Sequence, residues 1–216
     1  MKQAVLLLSG GLDSAANLAA NPEFEVKVAL TLDYGQKSAI RELAASADLC
    51  RYFGIEHQTF ELKNFASLVS NQSALLGGTE IPQPHSLDAL EHIKKTAAAV
   101  WVPNRNGVFL SVAAALAESR GLDAVAVGFN AEEAVTFADN SVDYMKAMSN
   151  ALRYSTRNQV EVVSATAHLT KTEIVKRLIP LDFPIHLIWS CYTGDKEQCG
   201  TCESCQRLNR ALKHAG

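Results

Sequence analysis

The chain has 216 residues, 48% of them hydrophobic and 20% charged, a composition that excludes a disordered or collagen-like protein. Twenty lysines and arginines stand against 23 aspartates and glutamates, for a formal net charge of -3. No overall positive field attracts a polyanion, which disfavours tight nucleic-acid binding through bulk charge. The length suits one large domain, or one domain with an appendage, better than two full-sized domains.

Short apolar runs alternate with longer helical patterns along most of the chain. The predicted strands are residues 4–8, 26–32, 58–62, 124–127 and 160–163. The predicted helices are residues 14–20, 37–53, 106–119, 142–154 and 171–179. This alternation indicates βαβ units, and the nearly continuous apolar strands are typical of parallel strands covered on both faces. We predict an α/β fold with a doubly wound parallel sheet, which binds its ligands at the carboxyl ends of the strands.

The second helix has apolar residues at positions 40, 43, 44, 47 and 50. Their helical spacing predicts one stripe that faces the sheet, with Glu42 on the side that faces water. Because Cys50 falls on the apolar stripe, we expect it to be a buried structural thiol.

Two segments interrupt the alternation. Residues 70–104 are rich in glycine, proline and polar residues, with one short helix predicted at 87–98. A long irregular segment of this kind in a compact domain is typical of a functional lid or of a disordered loop. We predict an α/β domain over residues 1–189 that includes this lid, with a cysteine-containing segment, 190–216, packed on it.

The N-terminal sequence lacks the features of a signal peptide. The apolar run is short, and glycines follow it directly without a small-residue cleavage site. No segment approaches the roughly 20 apolar residues needed to span a bilayer. We therefore expect a cytoplasmic protein with no membrane partner and no direct nucleic-acid partner.

The strongest local pattern lies between the first predicted strand and helix, at Leu8, Ser9, Gly10, Gly11, Leu12, Asp13 and Ser14. Glycines let backbone N–H groups approach an anion, and the two serines add hydroxyl donors, so the pattern predicts a phosphate site. It has neither the GKS ending of a P-loop nor a GxGxxG motif. The alternative is a plain turn in which Asp13 or Ser14 only caps the helix, but capping does not require serines on both sides of two glycines.

Four cysteines cluster near the end of the chain as C-x7-C-x2-C-x2-C, at Cys191, Cys199, Cys202 and Cys205. Four thiolates without histidine favour one closed, structural Zn²⁺ site per chain. An iron–sulfur cluster is the competing metal group. Disulfides are a weaker alternative in a chain without a secretory signal.

The stretch SGGLDS at 9–14 resembles the signature of the PP-loop ATP pyrophosphatases. Combined with YGQ at 34–36, VPNRN at 102–106, SCY at 190–192 and CGTCESC at 199–205, it resembles the 7-cyano-7-deazaguanine synthase family of the queuosine and archaeosine pathway. The resemblance covers nearly the whole chain. It departs at residues 128–140, where many bacterial members carry an acidic stretch followed by SGYPDC.

The resemblance implies a ligase that forms carbon–nitrogen bonds. It would convert 7-carboxy-7-deazaguanine, ammonia and ATP into 7-cyano-7-deazaguanine through an adenylated carboxylate and an adenylated amide. Residues 8–14 and Tyr34 would bind ATP, with the adenosine against residues 31–34, and Asp13 would help to place Mg²⁺. Because this fold class often forms dimers, we expect a homodimer.

Four further residues are predicted to contact the substrate. Arg105 would neutralise a carboxylate or phosphate, its alternative being a surface salt bridge. Asn106 would contact the ligand or cap the following helix. Glu132 and Asp139, with Glu133, lie past a strand end, where they would hold Mg²⁺ or the guanine-like N–H edge, or form a solvated acidic loop.

Two other classes of protein share some of these features. A tRNA thiolase would share the ATP loop but needs a catalytic cysteine pair and a basic RNA-binding surface. A nucleotide-binding regulator would use the cysteines as a zinc ribbon for a partner. ATP turnover that depends on a small carboxylate discriminates among the three.

Overall fold

A computed structural model of the chain describes residues 1–19, 21–69 and 72–216. Over these residues the strands and helices follow one another in the order β1 (Lys2–Leu7), α1 (Leu12–Ala16), β2 (Phe24–Asp33), α2 (Ala39–Phe53), β3 (Glu56–Glu61), α3 (Phe65–Leu68), α4 (Leu90–Val100), α5 (Arg105–Ser119), β4 (Ala124–Ala126), α6 (Ala131–Ala134), α7 (Val142–Ser155), β5 (Glu161–Val163), α8 (Lys171–Leu178) and α9 (Glu203–Ala215). Within the described ranges, no helix combines the length and the apolar character that a membrane crossing requires.

The strands form a parallel sheet in the order β3-β2-β1-β4-β5. The chain moves outward from β1 to β3 and then crosses back to β4 on the other side of β1. The connections that leave β1 and β4 therefore diverge, and a crevice opens between their carboxyl ends. The predicted doubly wound sheet is confirmed.

Helices cover both faces of the sheet, which explains the continuous apolar strands. Alternate residues of β1 point to opposite faces, as strand geometry requires. Leu6 packs in a cluster with Leu49 of α2 and Ile174 of α8, whereas Val5 packs with Leu110 of α5. Because α9 adds its own apolar residues to the first cluster, the C-terminal helix belongs to the core.

The predicted boundaries differ from the structure mainly where elements are short. Helix α1 ends at Ala16, and Ala20, the predicted end of that helix, lies outside the described residues. The predicted lid contains helix α4, while its first two residues, Ser70 and Asn71, lie outside the described residues. Helices α3 and α6 have four residues each, too few for a periodic pattern to reveal them.

The predicted orientation of α2 is wrong. Ile40 is 79% exposed, and the buried residues are Ala39, Ala45, Ser46, Leu49 and Cys50. Small side chains occupy much of the inner face because the helix lies close to the glycine loop: a Cβ on Gly10 would lie 2.8 Å from the Ala45 Cβ. Glu42 therefore lines a cavity, rather than facing bulk water. Cys50 is buried as predicted, and burial raises its pKa to about 11.

Candidate functional site

A cavity of about 250 Å³ lies at the carboxyl ends of β1, β2 and β4, where the strand order reverses. Residues predicted to bind ATP or substrate form part of its wall: Leu8, Ser9, Gly11, Leu12, Asp13, Ser14, Tyr34, Arg105 and Asn106. Other polar residues line it as well: Thr31, Glu42, Glu133, Lys171 and Ser190. The topology thus collects residues from six separate parts of the chain around one cavity.

The two serines of the glycine loop bond to the loop itself. Ser14 Oγ accepts a hydrogen bond from the Ser9 N–H at 3.2 Å and donates to the Gly11 carbonyl at 3.2 Å. The N-cap residue of α1 is Gly11, and no side chain caps this helix. The capping interpretation therefore does not hold. The serines instead stabilise the turn before helix α1, and among the described residues no side chain caps the first N–H groups of this helix.

Glycines allow two neighbouring segments to approach this loop. Gly10 has a φ of 76°, in the left-handed region that favours glycine. Gly128 follows β4, and a Cβ on it would lie 2.3 Å from the Ser14 backbone nitrogen. Any side chain at position 128 would separate the end of β4 from the loop, so this glycine allows the two walls of the crevice to meet.

A buried lysine joins two acidic residues at one side of the cavity. Lys171 Nζ bonds to Asp13 Oδ2 and lies 2.9 Å from Glu133 Oε1, and its side chain is only 7% exposed. Lys171 is the first residue of α8, which begins with a capping box between Thr170 and Glu173. A helix N-terminus disfavours a cation. The two carboxylates supply the opposite charge that Lys171 needs there.

The ionisation of this cluster is strongly perturbed. Burial raises the pKa of Asp13 to about 6, against the opposing effect of Lys171, and the nearby Glu133 and Glu132 raise it further. Burial opposes the charge on Lys171, but the two carboxylates hold its pKa well above the usual range. Burial also opposes ionisation of Glu133, but Lys171 lowers the pKa of that carboxyl. Asp13 Oδ1 is buried without a hydrogen-bond partner among the described residues, so this oxygen can bind a cation.

We expect Asp13→Asn to remove activity and to make the stability of the fold depend less on pH between 4 and 7. Since the folded protein holds the Asp13 proton up to about pH 6 and the ordinary value is 3.8, ionisation of Asp13 lowers stability as the pH rises through this window. Asparagine cannot ionise. The free energy of unfolding of the variant, relative to the unsubstituted protein, should therefore rise between pH 4 and pH 7, because only the unsubstituted protein loses stability over this window.

Urea unfolding of both proteins in Mg²⁺-free buffer across this range measures the difference. Asp143→Asn, which replaces an exposed aspartate, is the control, and its effect on the free energy of unfolding should not change with pH in this way. A variant that loses stability equally at every pH would contradict the prediction.

Arg105 forms the opposite wall. Its guanidinium carbon lies 5.9 Å from the ring centroids of both Tyr34 and Phe109, and Nη1 is 3.5 Å from the Tyr34 hydroxyl. Among the described residues no carboxylate pairs with it, so the surface salt bridge alternative does not hold. Asn106 accepts from Arg105 Nε at 3.3 Å and donates to the Asp139 carbonyl. The N-cap of α5 is Asn104, so Asn106 does not cap that helix.

Two predicted substrate residues lie behind the wall. Glu132 pairs with Arg207 at 3.2 Å and with Arg210 at 3.4 Å, and its neighbour Glu133 lines the cavity instead. Burial raises the pKa of Asp139, whose neighbour Asn140 reaches the lining. Substrate contacts by Glu132 and Asp139 stay predictions.

The four clustered cysteines converge, with all their sulfurs within 4.8 Å of one another. Sulfurs bound to one central Zn²⁺ at about 2.3 Å lie about 3.8 Å apart, so the residues fit a tetrahedral metal site. Cys191 also lines the cavity. Next to it, the Trp189 N–H donates to the Gly10 carbonyl at 2.9 Å, and the Trp189 indole N–H donates to the Cys191 carbonyl at 3.0 Å. One short segment thus connects the metal site to the glycine loop.

Sequence reasoning missed Lys171 and Glu42. A lysine at the first position of a helix with a well-formed cap is unusual on dipole grounds, and that signal could have marked Lys171. Glu42 gave no such signal, because a glutamate in the first turn of an amphipathic helix is ordinary.

Comparison with known proteins decides the family. The family model described as queuosine biosynthesis protein QueC matches residues 3–216. The chain belongs to the QueC family. A 7-cyano-7-deazaguanine synthase from Desulforamulus reducens is 49% identical over 215 residues, covering 98% of this chain and 94% of that protein. One from Methanosarcina barkeri is 46% identical over 220 residues, covering 99% and 95%. The resemblance read from the motifs is confirmed.

A solved structure supports the fold assignment. The U34-tRNA thiolase NcsA from Methanococcus maripaludis, solved with its 4Fe-4S cluster, aligns with a TM-score of 0.52 at 15% identity, covering 98% of this chain and 65% of that one. At this identity the likeness concerns the fold alone. The QueC family and this thiolase therefore share an architecture.

Proposed function

We propose that the chain is a 7-cyano-7-deazaguanine synthase, a ligase that forms carbon–nitrogen bonds from 7-carboxy-7-deazaguanine, ammonia and ATP. Membership of the QueC family and the names of its relatives support this. The single structural observation that carries the proposal is the position of Arg105, a partly buried guanidinium without a carboxylate partner among the described residues, in the wall of the cavity that the glycine loop also lines.

Arg105 suits the carboxylate of the substrate. A guanidinium offers two parallel N–H donors to a carboxylate, and the flanking rings of Tyr34 and Phe109 restrict its orientation. A carboxylate held in this way can turn an oxygen toward the α-phosphate of a nucleotide in the glycine loop. Positioning of this kind accounts for much of the rate enhancement in bimolecular reactions.

The glycine loop would hold the β- and γ-phosphates of ATP. Its backbone N–H groups and the Ser9 hydroxyl are the donors, and the Lys171 ammonium lies beside them. Asp13 and Glu133 are oxygen donors of the kind that Mg²⁺ prefers, and the buried, unpartnered Asp13 Oδ1 fits this use. Mg²⁺ would neutralise charge on the phosphates.

The chemistry divides into two activations in one site. A carboxylate oxygen attacks the α-phosphorus of ATP and pyrophosphate leaves. Ammonia then attacks the carbonyl carbon, AMP leaves with the oxygen, and a proton is lost to give the amide. The amide oxygen attacks a second ATP in the same way. The adenylated amide then loses AMP and both N–H protons to form the nitrile, so each nitrile consumes two ATP and yields two AMP and no ADP.

We propose that the cysteine cluster holds one structural Zn²⁺. Four sulfur ligands fill a tetrahedral site and leave no position for substrate, and the cluster has no histidine. Metal analysis of the purified protein tests this. One zinc per chain without visible absorbance supports the assignment, whereas iron with sulfide and a broad visible absorbance would identify a cluster.

Mass spectrometry of the base and nucleotide products tests the function. The metal-loaded protein is incubated with Mg-ATP, ammonium and 7-carboxy-7-deazaguanine. The nitrile with AMP is the expected result. Stoichiometric ADP and phosphate would overturn the mechanism, and no product from this substrate would overturn the function. The predicted homodimer is tested separately by the molar mass in solution.

Arg105→Lys should raise the KM for 7-carboxy-7-deazaguanine by about 10- to 100-fold, because lysine keeps the charge but loses the paired donors. The Kd for ATP should change little. Steady-state kinetics at saturating ATP and ammonium measures the change. Arg120→Lys at the end of the same helix, where the side chain makes an exposed ion pair with Glu56, is the matched control. An unchanged KM in Arg105→Lys would remove this residue from substrate binding.

A further inference from the structure

Glu42 presents a carboxylate to the cavity from the first turn of α2. Its Oε1 accepts a hydrogen bond from the Ser38 hydroxyl at 2.5 Å, and its Oε2 accepts one from the Gln36 amide at 3.0 Å. Ser38 is 2% exposed and Gln36 is 4% exposed. The two donors are buried, so they bind Glu42 in preference to water and hold its carboxylate in one place.

The amide of Gln36 is itself oriented by the end of β2. Its oxygen accepts from the Tyr34 N–H at 2.9 Å, and its nitrogen also donates to the Leu32 carbonyl at 3.2 Å. The nitrogen must therefore be the end that faces Glu42. The Gln36 amide thus presents an N–H donor to Glu42, whose carboxylate accepts the hydrogen bond.

No lysine, arginine or histidine nitrogen in the described ranges makes an ion pair with this carboxylate. Burial raises the pKa of Glu42, and the hydrogen bonds from Ser38 and Gln36 act to lower it. A carboxylate can accept about four hydrogen bonds, and the described residues donate two to Glu42. Glu42 can therefore accept further hydrogen bonds from a ligand in the cavity.

The place and the chemistry together select the ligand group. Glu42 belongs to the helix that follows β2, and its carbonyl would lie 3.2 Å from a Cβ on Gly10, so it sits beside the start of the glycine loop. Phosphates there are anionic and would be repelled. Adenine offers each donor beside an acceptor, which an acceptor-only carboxylate matches poorly. The adjacent 2′- and 3′-hydroxyls of ribose offer two donors, as does the N–H edge of the deazaguanine, but only ribose is joined to the phosphates that the neighbouring glycine loop would hold.

We propose that Glu42 recognises the ribose of ATP, its carboxylate accepting hydrogen bonds from the 2′- and 3′-hydroxyls. This inference rests on the proposed use of ATP. It makes Glu42 a specificity residue for ribonucleotides, and it gives the buried Ser38 and Gln36 the task of positioning that carboxylate.

Calorimetric titration of the full, metal-loaded chain with ATP, 2′-deoxy-ATP and 3′-deoxy-ATP tests the proposal in the absence of the second substrate. The unsubstituted protein should bind ATP about 10- to 100-fold more tightly than the deoxy nucleotides, as expected for a lost hydrogen bond to a charged group. Glu42→Ala removes the acceptor of both hydroxyls, so it should weaken ATP binding by more than that factor and weaken each deoxy nucleotide, which keeps one hydroxyl, by about that factor. The preference for ATP should then disappear. Glu42→Gln, which keeps the shape, should lose part of the preference while remaining folded.

Asp48→Asn is the matched control, because Asp48 is an exposed residue of the same helix that pairs with Arg51. It should keep the full preference. Equal weakening of all three nucleotides by both Glu42 variants would indicate a structural role and overturn the proposal. The Glu42 variants are also titrated separately with 7-carboxy-7-deazaguanine. An unchanged preference for ATP together with weaker binding of 7-carboxy-7-deazaguanine would assign the carboxylate to that ligand and also overturn the proposal. If the unsubstituted chain bound no ATP, the proposed function would fail as well. The last two results therefore separate the failure of this inference from the failure of the function.

Discussion

Replacing Lys171 with methionine should reduce AMP formation by at least about 100-fold and lower the free energy of unfolding by about 3–5 kcal/mol, the usual effect of removing one partner of a buried ion pair. The variant leaves Asp13 and Glu133 next to each other without the cation that both contact. At least one of them should then take up a proton at neutral pH, because two adjacent buried carboxylates resist double ionisation. The site would lose both a charge beside the phosphates and an oriented acidic pair. Product analysis and urea unfolding measure the two effects.

Two comparisons separate a specific effect of Lys171→Met from general damage to helix α8. Lys176→Met replaces an exposed lysine of that helix and should change neither quantity appreciably. Adding Asp13→Asn to Lys171→Met removes one of the two carboxyl groups left without their lysine partner. The double variant should therefore recover part of the stability and none of the activity. Full activity and stability in Lys171→Met would show that the ion cluster has no role.

Removing the proposed metal with a chelator, or replacing Cys202 with serine, should destabilise the C-terminal segment and abolish nitrile formation. The cysteine sulfurs bring Cys191, Cys199 and the start of helix α9 together, with all four sulfurs within 4.8 Å of one another. One of these parts contains Trp189, whose backbone N–H donates to the Gly10 carbonyl of the glycine loop. Another begins helix α9, whose Arg207 pairs with Glu132 beside the Lys171 cluster. Loss of the metal should therefore expose residues 190–200 to protease and weaken ATP binding.

The matched control for the cysteine variant is Cys50→Ser. Cys50 lies in the core away from the cluster, so the control should keep one metal per chain and bind ATP normally, although its melting temperature will fall because a buried apolar group is replaced by a polar one. Metal content, limited proteolysis and ATP titration are measured on the same preparations. A Cys202→Ser protein with unchanged metal content and protease resistance would rule out the metal site as described.

The glycine loop, the cysteine cluster and the class of fold could be predicted because each depends on residues close together in sequence. Two glycines between serines after an apolar strand have a local physical reason, and so do thiols spaced two residues apart. The alternation of strands and helices follows from the repeating burial of one face of each element. Motifs of this kind, in series over nearly the whole chain, also sufficed for the family.

The partners within the cavity could not be predicted in the same way. Lys171 is 158 positions from Asp13, and no local pattern links them; the order of strands β1, β4 and β5 brings them together. The predicted stripe of α2 was wrong because hydrophobicity ranked Ile40 above Ala45 and Ser46, whereas close approach to the glycine loop requires small side chains. That rotation of the helix placed Glu42 in the cavity instead of in water.

Local sequence thus determined the glycine loop and the cysteine cluster, since backbone freedom and ligand chemistry are properties of neighbouring residues. Tertiary structure decided which charges face each other and which side chains line the cavity. These depend on the desolvation of pairs far apart in the chain, and the energy of a buried charge is set by its surroundings rather than by its neighbours in sequence.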